Sequence, residues 1–212
     1  IHQKLIKDNY LEQGLVYLQI SRGAADRNFY FPSPQTETTV VMFTQKKQLL
    51  NNEDVKKGIK IISVPDVRWG RSDIKTVQLL AASMNKMLAH KAGKDDAWMV
   101  KDGFVTEGTS NNAFILTDDD ILVTRNLSTE ILAGVTRHSI LELAAVEEVK
   151  IEERSFSVEE VKSCREAFIS SATSFVIPVV EIDGALIKNG MPGKTTKLFR
   201  EIYIEKIRKS LT

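Results

Sequence analysis

Apolar residues recur along this chain in two rhythms, strand-length runs and longer stretches stepped by three and four. Leu15-Val16-Tyr17-Leu18-Gln19-Ile20 is the first run, closed by Ser21-Arg22-Gly23, and it predicts a strand. Thr39 to Phe43 and Gly58 to Val64 predict two more, with the polar stretch Gln45 to Lys57 between them as a loop or short helix. Helical spacing sets in after Arg71-Ser72-Asp73: Val77, Leu80 or Ala81, Met84, and Met87 or Leu88 follow the helical period. Ser72 or Asp73 offers an N-cap there, and Gly93 stands where a C-cap glycine would. Short runs follow at Ala97 to Lys101, Phe104 to Thr106, Asn112 to Leu116 and Ile121 to Thr124, with Asp102-Gly103 and Asp118-Asp119-Asp120 as turn signals. A second helix is predicted from about Thr136 to Glu148, with Ile140, Leu141, Ala144 and Ala145 on its apolar side. Lys150 to Glu153, Ala167 to Ser170, Val176 to Ile182 and Ala185 to Ile187 read as strands, the last two turned at Asp183-Gly184. A terminal helix is predicted from near Lys194, carrying Leu198, Phe199, Ile202 and Ile207. Mixed elements with tight turns between neighbouring strands imply a mixed α/β (α+β) fold rather than a doubly wound parallel sheet.

Composition narrows the function classes more than the fold. Across 212 residues, 29 basic side chains stand against 28 acidic ones, so no charge imbalance draws the chain to nucleic acid or an anionic membrane. No apolar stretch approaches the length of a membrane span. The single cysteine, Cys164, rules out an internal disulfide and fits a reducing compartment, hence a cytoplasmic expectation. The opening segment IHQKLIKDNYLEQG has no basic stretch followed by an apolar one, so it does not read as a signal peptide. It also lacks an initiator methionine, which reads as part of a longer chain.

Four segments carry residue types suited to chemistry. Lys75, in RWGRSDIKTVQLL, is expected in the first turn of the predicted helix, where a cation opposes the helix dipole and gains no stability from it. Arg68 and Arg71 stand close by as charges able to depress its pKa, and a lysine so tuned forms Schiff bases; the alternative is a solvated surface lysine. Glu107, in FVTEGTSNNAFIL, is either the acceptor for a protonated ring nitrogen or a member of an ordinary hairpin turn. Gly134-Val135-Thr136-Arg137 opens the second helix as a phosphate cradle or with Thr136 as a plain N-cap. Ser170-Ser171-Ala172-Thr173-Ser174 is a second hydroxyl cluster, either completing that cradle or a simple loop. His2, His90 and His138 are not at ligand spacing and read as neither metal ligands nor triad members. Tyr30-Phe31-Pro32 and Trp69 read as packing.

Taken in order, VYLQISRGAADRNFYFP, DVRWGRSDIKTVQLL, VTEGTSNNAF, and LAGVTR followed at a distance by SSATSFVIPVVEIDG resemble the fold-type IV, or class IV, pyridoxal-phosphate aminotransferases, and within them the D-amino acid branch. The resemblance implies pyridoxal 5'-phosphate held as a Schiff base on Lys75, which also shuttles a proton between substrate and cofactor. It implies Glu107 as the partner of the pyridine nitrogen, Leu132 as the residue beside the ring, and Val135, Thr136 and Ser171 at the phosphate. Ala172 falls where the family often has a threonine. Arg27 matches an arginine that binds the substrate carboxylate from the neighbouring subunit, but its usual histidine partner is here Phe29. The implied reaction is transamination between a D-amino acid of the D-alanine or D-glutamate type and a 2-oxo acid, in a homodimer. Related chemistries on the same fold are branched-chain and R-selective amine transamination and aminodeoxychorismate cleavage. The resemblance further implies a barrel-like, cofactor-binding large domain over 51–212, with residues 1–50 as the remainder of a small N-terminal α/β domain. That remainder lacks the beginning of the family's fold, including an arginine for the phosphate, either by native truncation or because the chain is a fragment. The fragment is the preferred reading, since a strand from Leu15 would otherwise expose an edge, and the lost arginine would weaken cofactor binding by ~1.5–3 kcal/mol. An inactive truncated member is the remaining alternative.

Overall fold

The structure is a computed structural model and describes residues 1–210. The chain divides into two compact units, Ile1–Asn51 and Asn52–Thr212. In the first, helix α1 (His2–Asp8) precedes strands β1 (Gly14–Ser21) and β2 (Thr39–Lys46), which pair antiparallel as a two-stranded sheet. Tyr17 and Phe43 face each other in register and stack at 4.8 Å. Phe29, Tyr30 and Phe31 are exposed, so the packing expected of the latter two is absent; Arg22 instead lies over the Phe31 ring at 4.3 Å.

The second unit is built on a curled, nine-stranded mixed sheet, counted among the described residues, and so bears out the mixed α/β expectation. Its strands are β3 (Ile59–Pro65), β4 (Asp96–Lys101), β5 (Phe104–Gly108), β6 (Asn112–Leu116), β7 (Ile121–Thr124), β8 (Lys150–Glu153), β9 (Glu166–Ser171), β10 (Phe175–Ile182) and β11 (Ala185–Leu186). The order is β5-β4-β3-β10-β9-β6-β7-β8, with β11 on β10. The sheet curls enough for its ends to meet: Phe104 of β5 bridges Ser157, just beyond β8, and the Val105 N–H donates to the Phe156 carbonyl (2.9 Å). The predicted Asp-Gly turns form, with Asp102 and Gly103 at φ 50° and 84° joining β4 to β5, the left-handed pair that a twisted two-residue hairpin needs.

Strand alternation sorts the core. Ala113 and Ile115 of β6, Ala167 and Ile169 of β9, and Ile177 and Val179 of β10 point into one cluster with Trp98 and Phe156. Their neighbours Phe114, Leu116, Phe168 and Val176 point the other way, against helices α4 (Val135–Val146) and α6 (Lys194–Ser210) through Ile140, Ala144, Phe199 and Tyr203. Strands buried on both faces read as continuous apolar runs. Two short helices complete the unit, α2 (Glu53–Lys57) and α5 (Val158–Ser163). Helix α5 is absent from the sequence expectations, although Ser157 and Glu160 form a full capping box at its start.

The helix after Lys75 departs from expectation. Helix α3 runs Leu80–Lys91, so it starts well beyond Ser72 and Asp73, and its first turn does not contain Lys75. One long-range and one local hydrogen bond engage residues 72–79 outside the helix. The Ser72 N–H donates to the Thr129 carbonyl (2.8 Å), and the Thr76 hydroxyl accepts from the Gln78 N–H (3.2 Å), the kind of side-chain bond that competes with helical pairing. The residues whose spacing marked the helix face outward: Val77, Leu80, Met84, Met87 and Leu88 are all exposed. Asn85 and Ala89 are buried instead, Ala89 against Val64, Ala97 and Met99, because small side chains let this helix lie close on β3 and β4. Its end matches expectation. Gly93 takes φ 69°, with Lys94 N–H on the Ala89 carbonyl and Gly93 N–H on the His90 carbonyl, the pairing of a Schellman cap.

Candidate active site

One cavity of about 980 Å³ in the second unit gathers most of the residues singled out by sequence. Lys75, Glu107, Leu132, Val135, Thr136, Ser171 and Ala172 all line it, within the size range of small-molecule sites. Arg27 and Phe29 belong to the first unit, where Phe29 is exposed and the Arg27 guanidinium lies 5.5 Å from its ring.

Glu107 is the penultimate residue of β5, and the residue is nearly closed off from solvent at 5% exposure. This is no hairpin turn, because β5 pairs with β4 whereas β6 pairs with β7 and β9. The chain crosses over at Thr109-Ser110-Asn111, which buried Asp96 pins by accepting from the Thr109 hydroxyl (2.6 Å) and the Asn111 amide (2.8 Å). Glu107 Oε1 accepts from Arg68 Nη1, and Oε2 accepts from Asn112 Nδ2 (3.0 Å). The Leu132 N–H points between the two oxygens at 3.3 and 3.2 Å, and the Leu132 carbonyl accepts from the same Asn112 amide (2.9 Å). Burial pushes the Glu107 carboxyl above the ordinary carboxylate range, against the opposing pull of Arg68. This framework lies outside the sequence expectations, where Arg68 stands only as a neighbour of Lys75. Its guanidinium is committed instead to Glu107 and, through Nε (2.9 Å) and Nη2 (2.7 Å), to Asp66. Arg71 is likewise committed to Asp73. The available signal was the Asp66-x-Arg68 pair directly after a predicted strand.

Other groups of the cavity lining suit a phosphate. Gly134 is the N-cap of α4, so Thr136 lies inside the helix, and its hydroxyl meets Tyr203 Oη (3.2 Å) rather than capping. No side chain among the described residues caps this terminus. The first intrahelical bond runs from the His138 N–H to the Gly134 carbonyl (3.0 Å), so the preceding N–H groups open the helix without partners among the described residues. Gly134 must be small, since a Cβ would come within 2.1 Å of Asn112 Oδ1. The hydroxyl cluster ends β9 and turns toward β10, and its residues Ser170 to Thr173 line the same cavity as this terminus. Ser171 Oγ accepts from the Ser174 N–H (3.1 Å), leaving its own proton to donate. Ser170 Oγ is fully buried with no hydrogen-bond partner among the described residues, and a buried hydroxyl of that kind calls for one. Ala172 contributes no hydroxyl. Lys75 is exposed and lines the cavity with Thr76 and Gln78. Trp69, expected as packing, is also exposed on this wall. An amine, a buried carboxylate and a hydroxyl-lined helix terminus in one cavity fit an aldehyde that also carries a ring nitrogen and a phosphate.

The family model for amino-transferase class IV matches residues 1–182. A D-alanine aminotransferase of Staphylococcus epidermidis is 34% identical over 199 residues, covering 94% of this chain and 70% of the relative. One from Bacillus licheniformis is 35% identical over 196 residues, covering 92% and 68%. Among solved structures, the branched-chain amino acid aminotransferase of Thermobaculum terrenum in its PLP-form superposes with a TM-score of 0.74 at 22% identity, over 91% of this chain and 64% of that one.

Proposed function

The chain belongs to the class IV aminotransferases, and from that premise we propose that it exchanges amino groups between a D-amino acid, of the D-alanine or D-glutamate type, and a 2-oxo acid, using pyridoxal 5'-phosphate. The observation that carries this reading is the convergence of Lys75, Glu107 and the α4 terminus on one cavity. When bound, the cofactor supplies an aldehyde for the amine and an electron-withdrawing ring that stabilises charge at the substrate α-carbon.

The residues of this chain do the rest. Lys75 would be the attachment point for the aldehyde, and its Nζ, when free, would act as the base for the proton on the substrate α-carbon. Glu107 holds a proton on the ring nitrogen, fixed in place by Arg68, Asn112 and the Leu132 N–H. Leu132, on the cavity lining, would lie beside the ring. The N–H groups of Val135 and Thr136 and the Ser171 hydroxyl hold the phosphate, while Ala172 withholds a contact that a hydroxyl would make. Arg27 binds the substrate carboxylate of a partner subunit in a homodimer, with Phe29 shaping that trap. The cytoplasm is the compartment that suits a lone thiol, Cys164, which is buried and which burial pushes up to about 12. No helix among the described residues is long and apolar enough to cross a membrane.

The decisive experiment incubates the chain with pyridoxal 5'-phosphate, a 2-oxo acid and either D- or L-alanine, and follows pyruvate by quenched flow. Conversion selective for D-alanine is expected; equal or L-selective conversion overturns the assignment. Borohydride reduction and peptide mapping are expected to put the phosphopyridoxyl mass on the peptide holding Lys75. A second reading, an amine transaminase selective for R amines, is favoured by Phe29 in the carboxylate trap, and it predicts faster turnover of an amine without a carboxylate than of D-alanine.

A further inference from the structure

We propose that Asp66 is a positioning residue for the cofactor site: it occupies two of Arg68's donors, so that Arg68 meets Glu107 through one nitrogen and leaves Glu107 its affinity for a ring-nitrogen proton. The inference rests on the reading of Glu107 given under Proposed function.

The geometry is that of one guanidinium shared by two carboxylates. Asp66 Oδ1 accepts from Arg68 Nε (2.9 Å) and from the Arg68 backbone N–H (3.1 Å), and Asp66 Oδ2 accepts from Nη2 (2.7 Å). That fork-on-carboxylate arrangement is the strong, directional form of the pair, and only Nη1 is turned to Glu107. Nη2 is further committed to the Glu130 carbonyl (2.9 Å). Asp66 is itself fixed to the strand that bears Glu107, because the Thr106 hydroxyl donates to Oδ2 (2.7 Å). The side chains of Asp66 and Glu107 are 6% exposed and that of Arg68 16%, so water screens the three charges poorly.

An arginine facing Glu107 alone would be free to engage it with both arms of its fork. The paired carboxylate would then hold a proton weakly and would orient a ring N–H poorly. Asp66 prevents this, and with both carboxylates ionised the cluster keeps one negative charge directed at the cavity. The directions of the shifts agree. Burial raises Glu107, Arg68 works against the rise, and the charge of Asp66 adds to it. For Asp66, hydrogen bonds from Arg68 and Thr106 outweigh burial and hold it low, so it stays ionised while Glu107 titrates. The other groups around Glu107 are the neutral Asn112 amide and Leu132 N–H, with Lys75 on the cavity wall; Lys101 of β4 feels Asp66 but pairs with Glu130.

The test is Asp66→Asn, which keeps the shape and an acceptor oxygen but removes the charge. The midpoint of Glu107, read by NMR of carboxyl-labelled glutamate in the chain without cofactor, is expected to fall by about one unit. Asp66→Glu is expected to restore it toward the parent value, which a merely structural role would not require. In the loaded protein, Asp66→Asn is expected to shift the pH midpoint of the cofactor's visible absorption and to lower kcat about tenfold, with KM for the amino donor little changed. An unmoved or raised Glu107 midpoint overturns the proposal. Asp66→Ser is held to the same sign should the asparagine variant not fold. The two readings fail separately: a borohydride label away from Lys75 overturns the cofactor site and leaves the cofactor-free titration standing, whereas a label on Lys75 with an unmoved midpoint overturns only the role of Asp66.

Discussion

Glu107 and Lys75 line the same cavity, yet one is a buried carboxylate at a strand end and the other an exposed amine on an irregular stretch. Around Glu107 every polar neighbour is committed: Arg68, Asn112, the Leu132 N–H, and behind them Asp66 and Thr106. Around Lys75, residues 74–80 are exposed, held by single local hydrogen bonds such as Gln78 N–H to Thr76 Oγ1. The rigid wall fixes a proton on a ring, a task that needs a desolvated and immobile acceptor. The loose wall presents a nucleophile that must attach, be displaced and move a proton, a task that needs freedom. Electrostatic preorganisation and covalent turnover thus fall to two differently built parts of one cavity lining, and mutations should separate them by stability against rate.

The widest separation pairs two variants. Arg68→Met leaves two buried carboxylates without their countercharge and is expected to lower the unfolding free energy by about 3–5 kcal/mol in urea titration. Lys75→Ala is expected to change it by about 0.5 kcal/mol or less, while turnover falls about 10³-fold. Similar stability losses in both would abolish the contrast. A pH series probes the buried side. Because burial raises the Glu107 pKa above its unfolded value of 4.5, the folded chain binds that proton more tightly, and ionising it as pH rises weakens the fold. Glu107→Gln removes the effect, so its stability relative to the parent should rise as the pH climbs through and above the ordinary glutamate range; a falling difference would mean that Arg68, not burial, governs the group. The smallest change concerns the phosphate end. Ala172→Thr adds a hydroxyl to the β9–β10 turn and is expected to tighten cofactor binding about threefold to tenfold, the yield of one hydrogen bond, in a fluorescence titration.

Much of this arrangement is legible in the residues. Strand positions, the Asp-Gly hairpins and the Gly93 cap follow from local rules, because each is satisfied within a few residues of chain. The nearest failure is α3. Its apolar spacing correctly marks a helix, but spacing carries no record of which face lies on the sheet, and Ala89 and Asn85 rather than Leu80, Met84 and Met87 make that contact. Its start departs from expectation for a related reason: the Ser72 N–H finds its acceptor at Thr129, far along the chain.

Motifs and short periodicities were enough for the family, the mixed α/β class and the set of residues that converge on the cavity, because each of these is written within a short stretch of chain. Three features needed the folded arrangement: Lys75 lies outside a helix, Thr136 does not cap one, and Arg68 belongs to Glu107 and Asp66 rather than to Lys75. The physical reason is common to all three. A buried charge or an open polar group takes whichever partner the fold brings within about 3 Å; Thr129 for Ser72, Tyr203 for Thr136 and Glu107 for Arg68 are brought there by distant elements, and only the Asp66 half of the Arg68 pairing is local.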